Sequence, residues 1–261
     1  MDVKLDIRKS VEENASAYFE KAKKARKKLA GAKNAIEKTR IKLGKLLEMK
    51  DVEEKEMQSR KKPEKLWYEK FRWFTSSEGF LCIGGRDATS NEIVVKKHAE
   101  KGDLVFHTEM AGSPFFVVKS GGKKIGEQTI QETAVATASF SRAWKLGLSH
   151  AEVFYVNPDQ LSRTPKAGEY LEKGSFIVNG KAEKIMTELK LSVGVNSDGK
   201  VMCAPVESVK KNCLVSIPIA QGDGKSTEVA KQLLKKLNLS REFIDSVVSA
   251  LPSGGCRIMQ Q

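Results

Sequence analysis

Two loops of this sequence combine glycine with a basic side chain, and that combination can bind phosphate groups. In the first loop, Gly84-Gly85 precede Arg86. Glycine lets the backbone approach a bound group closely, and arginine supplies a planar set of cationic donors. Asn91 is the predicted N-cap of a helix over residues 92–98, which would place the loop beside a helix N-terminus and make an anion site. A glycine pair that only forms the turn is the alternative.

The second loop carries Gly224-Lys225-Ser226 between a predicted strand and an amphipathic helix. This order is that of a nucleotide-binding P-loop, but a P-loop requires a glycine five positions before Gly224, where Ile219 stands. We therefore predict that Lys225 and Ser226 hold a phosphate of RNA at the helix N-terminus. A plain turn that caps the helix and a nucleotide-dependent hydrolase are the alternatives.

His107 and Glu109 follow a predicted strand and have the His-x-Glu spacing of half a deaminase motif. The Pro-Cys-x-x-Cys that would complete the zinc site is absent, so His107 is interpreted as a structural group or a hydrogen-bond donor to a ligand. The four cysteines and three histidines show no zinc-site spacing. The sequence thus predicts no catalytic residue, no metal and no cofactor, and it predicts buried free thiols.

Positive charge is concentrated at the N-terminal end. The 261-residue chain has a net charge of +13, and residues 1–66 hold 20 Lys and Arg against 12 Asp and Glu. Six of the eight residues from Lys21 to Lys28 are basic. Such charge favours a nucleic acid or an anionic membrane as partner, although a solvated helix face has the same pattern. Because no apolar signal core and no stretch of roughly 20 apolar residues occurs, we expect a cytoplasmic protein without a membrane partner.

The basic cluster lies on a predicted long helix. A capping box at Ser10 marks its start, and apolar or small residues recur at alternating steps of four and three from Val11 to Leu46. This heptad seam needs a partner helix. Residues 51–62 are predicted to form a short second helix that returns alongside the first, and a homodimer through the seam is also possible.

The rest of the chain alternates strand and helix signals. An aromatic hairpin over residues 67–83 turns at 76–79, and a capping box at Thr129 predicts a later helix. A change of composition near Lys184 predicts a domain boundary. The predicted fold class is α+β: an N-terminal antiparallel helical hairpin or coiled coil (residues 1–62), a mixed or antiparallel sheet domain with packed helices (63–184) and a small C-terminal α/β unit (185–261).

Several long words of the sequence carry a family resemblance. They are WYEKFRWF, GGRDA followed by Asn91-Glu92, KGDLVFHTE, SRAW and GEYLEKGSF, in this order between about Trp67 and Gly180. Together they resemble the NFACT-R domain of the fibronectin-binding-protein-A-like and Caliban-like ribosome quality-control proteins. In that family a longer coiled-coil arm and an N-terminal domain with a helix-hairpin-helix segment precede this domain. We expect this chain to lack that N-terminal domain, which would then be a possible separate partner.

The resemblance implies an RNA-binding, non-enzymatic role. Its partners would be the large ribosomal subunit with stalled peptidyl-tRNA, through contacts to rRNA and tRNA, and it would help to place tRNA for untemplated tail addition. The rival hypotheses are a nucleotide-binding hydrolase that uses the Gly224-Lys225-Ser226 loop and a coiled-coil protein-interaction module.

Charge and resemblance together predict the nucleic-acid contacts. In the arm they are Lys23, Lys24, Lys27 and Lys28; in the central domain they are Lys70, Arg72, Arg86, His107, Arg142, Lys145, Arg163 and Lys166. Trp67, Tyr68 or Trp73 would stack on bases if exposed, and core packing is the alternative for them.

Overall fold

The computed structural model describes residues 4–59, 66–164 and 172–259, without the side chains of residues 45–59. The chain divides into two compact units, Met1–Lys61 and Lys62–Gln261. Among the described residues, no helix has the length and apolar character needed to cross a membrane.

In the first unit, one continuous helix stands where the sequence predicts a helical hairpin. Helix α1 (Val11–Ser59) has 49 residues and passes straight through the predicted turn. The prediction of a returning helix is therefore wrong, because residues 46–59 contain no glycine or proline and consist mostly of good helix formers. The predicted capping box is confirmed: the Glu13 N–H donates to Ser10 Oγ at 3.1 Å, and the Ser10 N–H donates to the Glu13 carboxylate at 2.9 Å.

The second unit alternates short strands and helices. Its elements are β1 (Arg72–Thr75), β2 (Leu81–Gly84), α2 (Ala88–His98), β3 (Leu104–Thr108), β4 (Phe116–Lys119), α3 (Glu127–Ser139), α4 (Arg142–Lys145), β5 (His150–Val156), β6 (Leu161–Ser162), β7 (Ile177–Val178), β8 (Glu183–Glu188), β9 (Leu191–Asn196), β10 (Val201–Ala204), α5 (Val206–Asn212), β11 (Cys213–Gln221), α6 (Ser226–Lys236), α7 (Ile244–Ala250) and β12 (Cys256–Ile258), with 3-10 turns at Pro158–Gln160 and Arg241–Phe243.

These strands form two main antiparallel sheets. The larger sheet has the order β1-β2-β4-β3-β5-β8, and the smaller has the order β10-β9-β11-β12; β6 and β7 pair separately. The α+β class is confirmed. The C-terminal sheet is antiparallel as well, so that part is also α+β and not α/β. The predicted domain boundaries stay predictions.

The larger sheet is buried on both faces. Along β3, Phe106 belongs to an apolar cluster that continues through α3 into the smaller sheet, whereas its neighbour Val105 belongs to a second cluster beneath α2. On β4, Phe116 and Val117 divide in the same way. Because successive strand residues point to opposite faces, this alternation of large apolar residues supports a layer on each side.

Helix α3 begins three residues earlier than the capping box at Thr129 predicts. Gly126 is the N-cap and provides no side chain, and Glu78 from the β1–β2 turn accepts the Thr129 N–H at 2.8 Å instead. A Cβ at Gly126 would lie 1.9 Å from the Glu78 carboxylate. A residue from another element thus caps this helix, which no local pattern can predict.

Candidate nucleic-acid interface

The Gly84-Gly85 loop is fixed by a close approach to Asn91. A Cβ on Gly85 would lie 1.9 Å from Asn91 Oδ1, so only glycine fits there. The Asn91 side chain is buried; its Oδ1 accepts the Phe115 N–H at 3.0 Å, and its Nδ2 donates to the Ser113 carbonyl at 3.2 Å. Asn91 therefore joins the loop to the segment before β4. The prediction that Asn91 is the N-cap of α2 is wrong.

The actual N-cap of α2 is Asp87. Its carboxylate accepts the Ser90 N–H at 2.7 Å, and Ser90 Oγ accepts the N–H groups of Arg86 and Asp87 at 2.7 and 2.9 Å. These hydrogen bonds lower the pKa of Asp87, with the backbone bond from Ser90 as the largest cause. The side chains of Asp87 and Ser90 already accept the backbone N–H groups at the start of α2. This geometry therefore does not support an anion site at those N–H groups.

Helix α4 displays two cations beside the same loop. Arg142 and Lys145 are one turn apart and exposed, and Ser141 caps the helix through the Ala143 N–H at 3.1 Å. The buried Trp144 anchors α4 by donating its Nε1–H to the Gly255 carbonyl at 2.8 Å. A Cβ at Gly254 would lie 2.7 Å from Lys145 Cβ, so the 252–255 turn packs directly against the lysine stem.

A cleft of about 910 Å³ lies between these elements, and we call it the basic cleft. Its walls are the 85–88 loop, the 107–115 segment, α4 and the 172–176 turn. Among the lining residues are the cations Arg72, Arg86, Arg142, Lys145 and Lys173 and the carboxylates Asp87, Glu109 and Glu172. Asp87 is engaged in the cap, and Glu109 pairs with Lys184 at 2.9 Å. Positive charge therefore predominates, as phosphate binding requires.

The guanidinium groups of Arg72 and Arg86 are held by hydrogen bonds to backbone carbonyls of the fold. The Arg86 guanidinium donates to the backbone carbonyls of Lys70 and Phe71, at 3.1 and 2.9 Å, and to that of Ser249. Arg72 lies 4.3 Å from the centre of the Phe140 ring and donates to the Leu251 carbonyl at 3.2 Å.

The fold removes part of the hydration of both arginines, although Arg86 remains exposed and Arg72 is half-buried. Burial, followed by repulsion from Arg86, lowers the pKa of Arg72 to about 10, and burial also lowers the pKa of Arg86. Direct phosphate contact by Arg86 stays a prediction, but the geometry favours a positioning role that holds the loop to α7.

His107 is a neutral side chain in the wall of the basic cleft. Its ring stacks on Phe115 with centroids 4.0 Å apart and contacts the edge of Phe154 at 5.9 Å. Burial lowers its pKa to about 4, and hydrogen bonding to the backbone at Ser113 and Thr108 opposes only part of that effect. An ionic phosphate contact at neutral pH is therefore not available to His107, and a hydrogen bond from His107 to a ligand stays a prediction.

Three predicted residues lie outside the basic cleft or beyond the described residues. Arg163 forms an ion pair with Glu92 on α2. Lys70 is exposed, with its ammonium 5.0 Å from the centre of the Phe71 ring, and lines a separate cleft of about 600 Å³. Lys166 falls among the residues that the structure does not describe.

The predicted stacking aromatics also lie beside this smaller cleft. Trp67 is 49% exposed but stacks on His98 with centroids 4.6 Å apart, while Tyr68 and Trp73 are half-buried and contact each other. Only Trp67 thus has substantial free area, and base stacking by it stays a prediction.

On α1, the four predicted lysines, which we call the lysine row, are all exposed. Lys23 is 3.9 Å from Glu20, whereas Lys24, Lys27 and Lys28 form no ion pair with any residue that the structure describes. Helix α1 therefore presents the lysine row to solvent, as phosphate contacts would require.

The Gly224 loop is used for packing. The Gly224 carbonyl accepts the Cys256 N–H at 3.3 Å, and a Cβ at Gly224 would lie 2.5 Å from the Cys256 carbonyl oxygen. Lys225 is an exposed N-cap without a side-chain hydrogen bond, and Ser226 opens α6. Phosphate binding by Lys225 and Ser226 stays a prediction. The described residues include no group of three or more His, Cys, Asp or Glu that could hold a metal ion.

Sequence reasoning missed Lys173 as a member of the site. Lys173 is exposed and lies in the GEYLEKGSF word, next to Gly174, whose φ is +82°. A Cβ at Gly174 would lie 2.6 Å from the Ala88 carbonyl, so this turn packs against the start of α2. A Lys-Gly pair in a loop was the available signal, but only the fold shows that it faces the arginine loop.

Two family models match the chain. Residues 70–180 match the NFACT protein RNA binding domain, and residues 1–66 match the NFACT N-terminal and middle domains. The first covers the basic cleft apart from the 252–255 turn, and the second covers the helix with the lysine row.

Curated relatives agree with these matches. The archaeal Rqc2 homolog aRqcH of Methanocaldococcus jannaschii is 40% identical over 218 residues, which cover 80% of this chain and 32% of that protein. The ribosome quality control complex subunit NEMF homolog of Drosophila melanogaster is 29% identical over 98% of this chain and 27% of its own length. Human ribosome quality control complex subunit NEMF is 35% identical over 64% and 16%. The chain thus spans about a third or less of these relatives.

Proposed function

Because the chain belongs to the NFACT family, we propose that it binds RNA as a component of ribosome-associated quality control. Its relatives carry that process in their names, and the domain matched over residues 70–180 is described as RNA binding. Since the chain spans only part of those relatives, the role is proposed only for the RNA binding that the described residues can provide.

The observation that carries this proposal is the row of cations at the basic cleft. Arg142, Lys145 and Lys173 are exposed, and no residue that the structure describes forms an ion pair with Arg142 or Lys145. Lysine and arginine side chains that point to solvent without a carboxylate partner can release counterions when they meet phosphates, and that release drives RNA binding.

The partners in this proposal are the large ribosomal subunit with stalled peptidyl-tRNA, through rRNA and tRNA. The exposed lysine row of α1 would contact the phosphate backbone, while the basic cleft would engage a second region of RNA. A separate NFACT N-terminal domain belongs to the proposal as a further partner, and work on ribosomes would place the protein in the cytoplasm. The hydrolase alternative has no supporting geometry, because Gly224 packs against Cys256.

The proposal is tested by sedimentation with purified large subunits and by fluorescence anisotropy with labelled tRNA. The double change Arg142→Glu and Lys145→Glu should weaken binding to tRNA at least tenfold in low salt. Lys235→Glu with Lys236→Glu serves as the matched control, since it makes the same charge change on exposed residues of α6 outside the cleft. Equal affinities for the two variants and the unchanged protein would contradict the proposal.

A further inference from the structure

The interior of the basic cleft differs in character from its rim. Five of its lining residues are phenylalanine or methionine: Met110, Phe115, Phe140, Phe154 and Phe176. Phe154, Phe176 and Met110 are only half-buried, so part of their surface remains open to the cleft. Contact with phosphates requires positive charge and does not require an apolar cavity. The apolar interior of the cleft therefore points to a ligand group other than phosphate.

Polar groups at the same wall suit a hydrogen-bonding ligand without charge. His107 is neutral at pH 7 because burial lowers its pKa, and its ring stacks on Phe115. The side chain of Ser175 also lines the cleft and is half-buried. Aromatic surfaces with a few hydrogen-bonding groups are the features that recognise an unpaired base through its faces and edges.

The rim places cations where the backbone of such a ligand would lie. Arg142 and Lys145 on α4 and Lys173 in the 172–176 turn are exposed and line the cleft. The guanidinium groups of Arg72 and Arg86, which donate to backbone carbonyls of the fold, add further positive potential to the cleft. In a concave site with apolar walls, such fixed charges raise the local attraction for an anionic chain.

We propose that the basic cleft holds an unpaired nucleoside of RNA, with the base against the aromatic wall of His107, Phe154 and Phe176 and the flanking phosphates on Arg142, Lys145 and Lys173. This inference rests on the proposed RNA binding and specifies its form. The volume of about 910 Å³ lies within the range of sites that enclose small organic groups. A duplex keeps its bases stacked inside the helix, so it can use the rim but not the interior.

Three probes separate the contributions of base and backbone, and the first two of them have matched charge. They are a fluorescein-labelled single-stranded oligoadenylate of about six nucleotides, an abasic ribose-phosphate oligomer of the same length, and a duplex of about twelve base pairs. Stacking of one base contributes roughly 5-fold to 100-fold in affinity. We expect the oligoadenylate to bind more tightly than the abasic oligomer by a factor in that range, as measured by anisotropy.

Variants then assign the preference to the cleft. Phe154→Leu keeps most of the apolar volume but removes the ring, and Met110→Glu puts charge into the interior; Met186→Glu is the matched control, because Met186 is 65% exposed and outside the cleft. Both cleft variants should reduce the advantage of the oligoadenylate over the abasic oligomer at least fivefold. Phe154→Leu, which does not alter the charge of the cleft, should also leave duplex binding unchanged. Arg142→Glu with Lys145→Glu should weaken binding of all three probes. Melting temperatures identify any variant that has lost its fold.

The outcomes are distinguishable. Equal binding of the oligoadenylate and the abasic oligomer, or a preference that both cleft variants leave intact while they remain folded, overturns the inference and leaves RNA binding standing. Tight binding of free adenosine monophosphate with no gain from a longer chain also overturns it, because the cleft would then be a small-molecule site. Failure of every probe to bind overturns the proposed function and this inference together.

Discussion

Arg86 and Arg142 line the same cleft but use their guanidinium groups differently. Arg86 donates to three backbone carbonyls of the fold, whereas Arg142 is exposed on α4 and has no carboxylate partner among the described residues. The chemistry of the two side chains is identical, so only their surroundings separate a positioning residue from a contact residue. The sequence predicts both as phosphate contacts, because a sequence reports side-chain type and not the distance to a carbonyl.

This difference predicts that the same substitution destabilises the fold at Arg86 and hardly changes its stability at Arg142. Arg86→Lys loses the planar arrangement that reaches Lys70, Phe71 and Ser249, and we expect a loss of roughly 1.5–3 kcal/mol in the free energy of unfolding. Arg142→Lys should change that free energy by less than about 0.5 kcal/mol. Urea denaturation followed by tryptophan fluorescence measures both. Equal stability of the two variants would show that the carbonyl contacts of Arg86 contribute little.

His107 predicts a pH dependence of stability. Its pKa is about 4 in the fold and near 6.5 in an unfolded chain, so the unfolded state binds the proton more readily between these values. The contribution of His107 is therefore fully present above about pH 6.5 and is lost as the pH falls toward 4, at about 1.4 kcal/mol per pH unit.

His107→Phe keeps a ring against Phe115 but removes the titration. Urea denaturation between pH 4.5 and 7.5 should show a smaller loss of stability at low pH for this variant than for the unchanged protein. The exposed His150 provides the control through His150→Phe, which should leave the slope as it is. An unaltered slope in His107→Phe would assign the acid sensitivity to other groups.

Among the elements, helix α1 and the turns of the second unit differ in how far a local pattern predicts them. The capping box at Ser10 and the sheet hairpin from β1 to β2 follow from short-range sequence and are confirmed. The start of α3 depends instead on Glu78, whereas α2 starts at a local capping box between Asp87 and Ser90 and not at the predicted Asn91. A hydrogen bond across 51 residues, such as that from Thr129 to Glu78, leaves no periodic trace in the sequence.

The lysine row of α1 predicts a strongly salt-dependent interaction with RNA. Changing Lys23, Lys24, Lys27 and Lys28 to glutamate should flatten the plot of log affinity against log salt by roughly one unit for each phosphate that the protein no longer neutralises. The matched control reverses Lys33, Lys38, Arg40 and Lys42, which are exposed on the same helix. Cosedimentation with large subunits at several salt concentrations measures the slope, and an unchanged slope would exclude this row from RNA binding.

The turn that carries Lys173 can be tested through its glycine. Gly174 and Gly122 have φ values of +82° and +80°, but only at Gly174 would a Cβ meet a neighbour, the Ala88 carbonyl at 2.6 Å. Both alanine variants should lose roughly 1 kcal/mol in the free energy of unfolding because of backbone strain. Gly174→Ala should lose about 1–3 kcal/mol more, which is the usual cost of overpacking. Thermal melting compares them. Similar melting temperatures would mean that the turn moves away from α2 at little cost.

For the whole molecule, the sequence predicts the α+β class and the order of its parts, and the structure confirms the class. The sequence does not predict which residues come together at the site. Residues 85–88, 107–115, 142–145 and 172–176 line one cleft because the antiparallel order β1-β2-β4-β3-β5-β8 brings their loops to one place. A single sequence does not report which strands pair with each other.

The heptad seam of α1 predicts self-association at the level of the whole molecule. Leu29, Ile36 and Leu43 are 59%, 67% and 56% exposed, and apolar residues at heptad spacing pair with a second helix. Light scattering should show a dimer that dissociates on dilution, and Leu29→Glu with Ile36→Glu should leave a monomer. Lys33→Glu with Lys38→Glu on the same helix is the control. A monomer at every concentration would contradict self-association through the seam.

The hydrogen bond from Trp144 to Gly255 has a consequence for synthesis of the chain. It joins α4 to a turn 111 residues further along, and the same turn packs against Lys145. While the chain is being translated, everything up to β11 can emerge and pair before Gly255 leaves the exit tunnel. A nascent chain is therefore unable to complete this side of the cleft until the segment around Gly255 has left the tunnel.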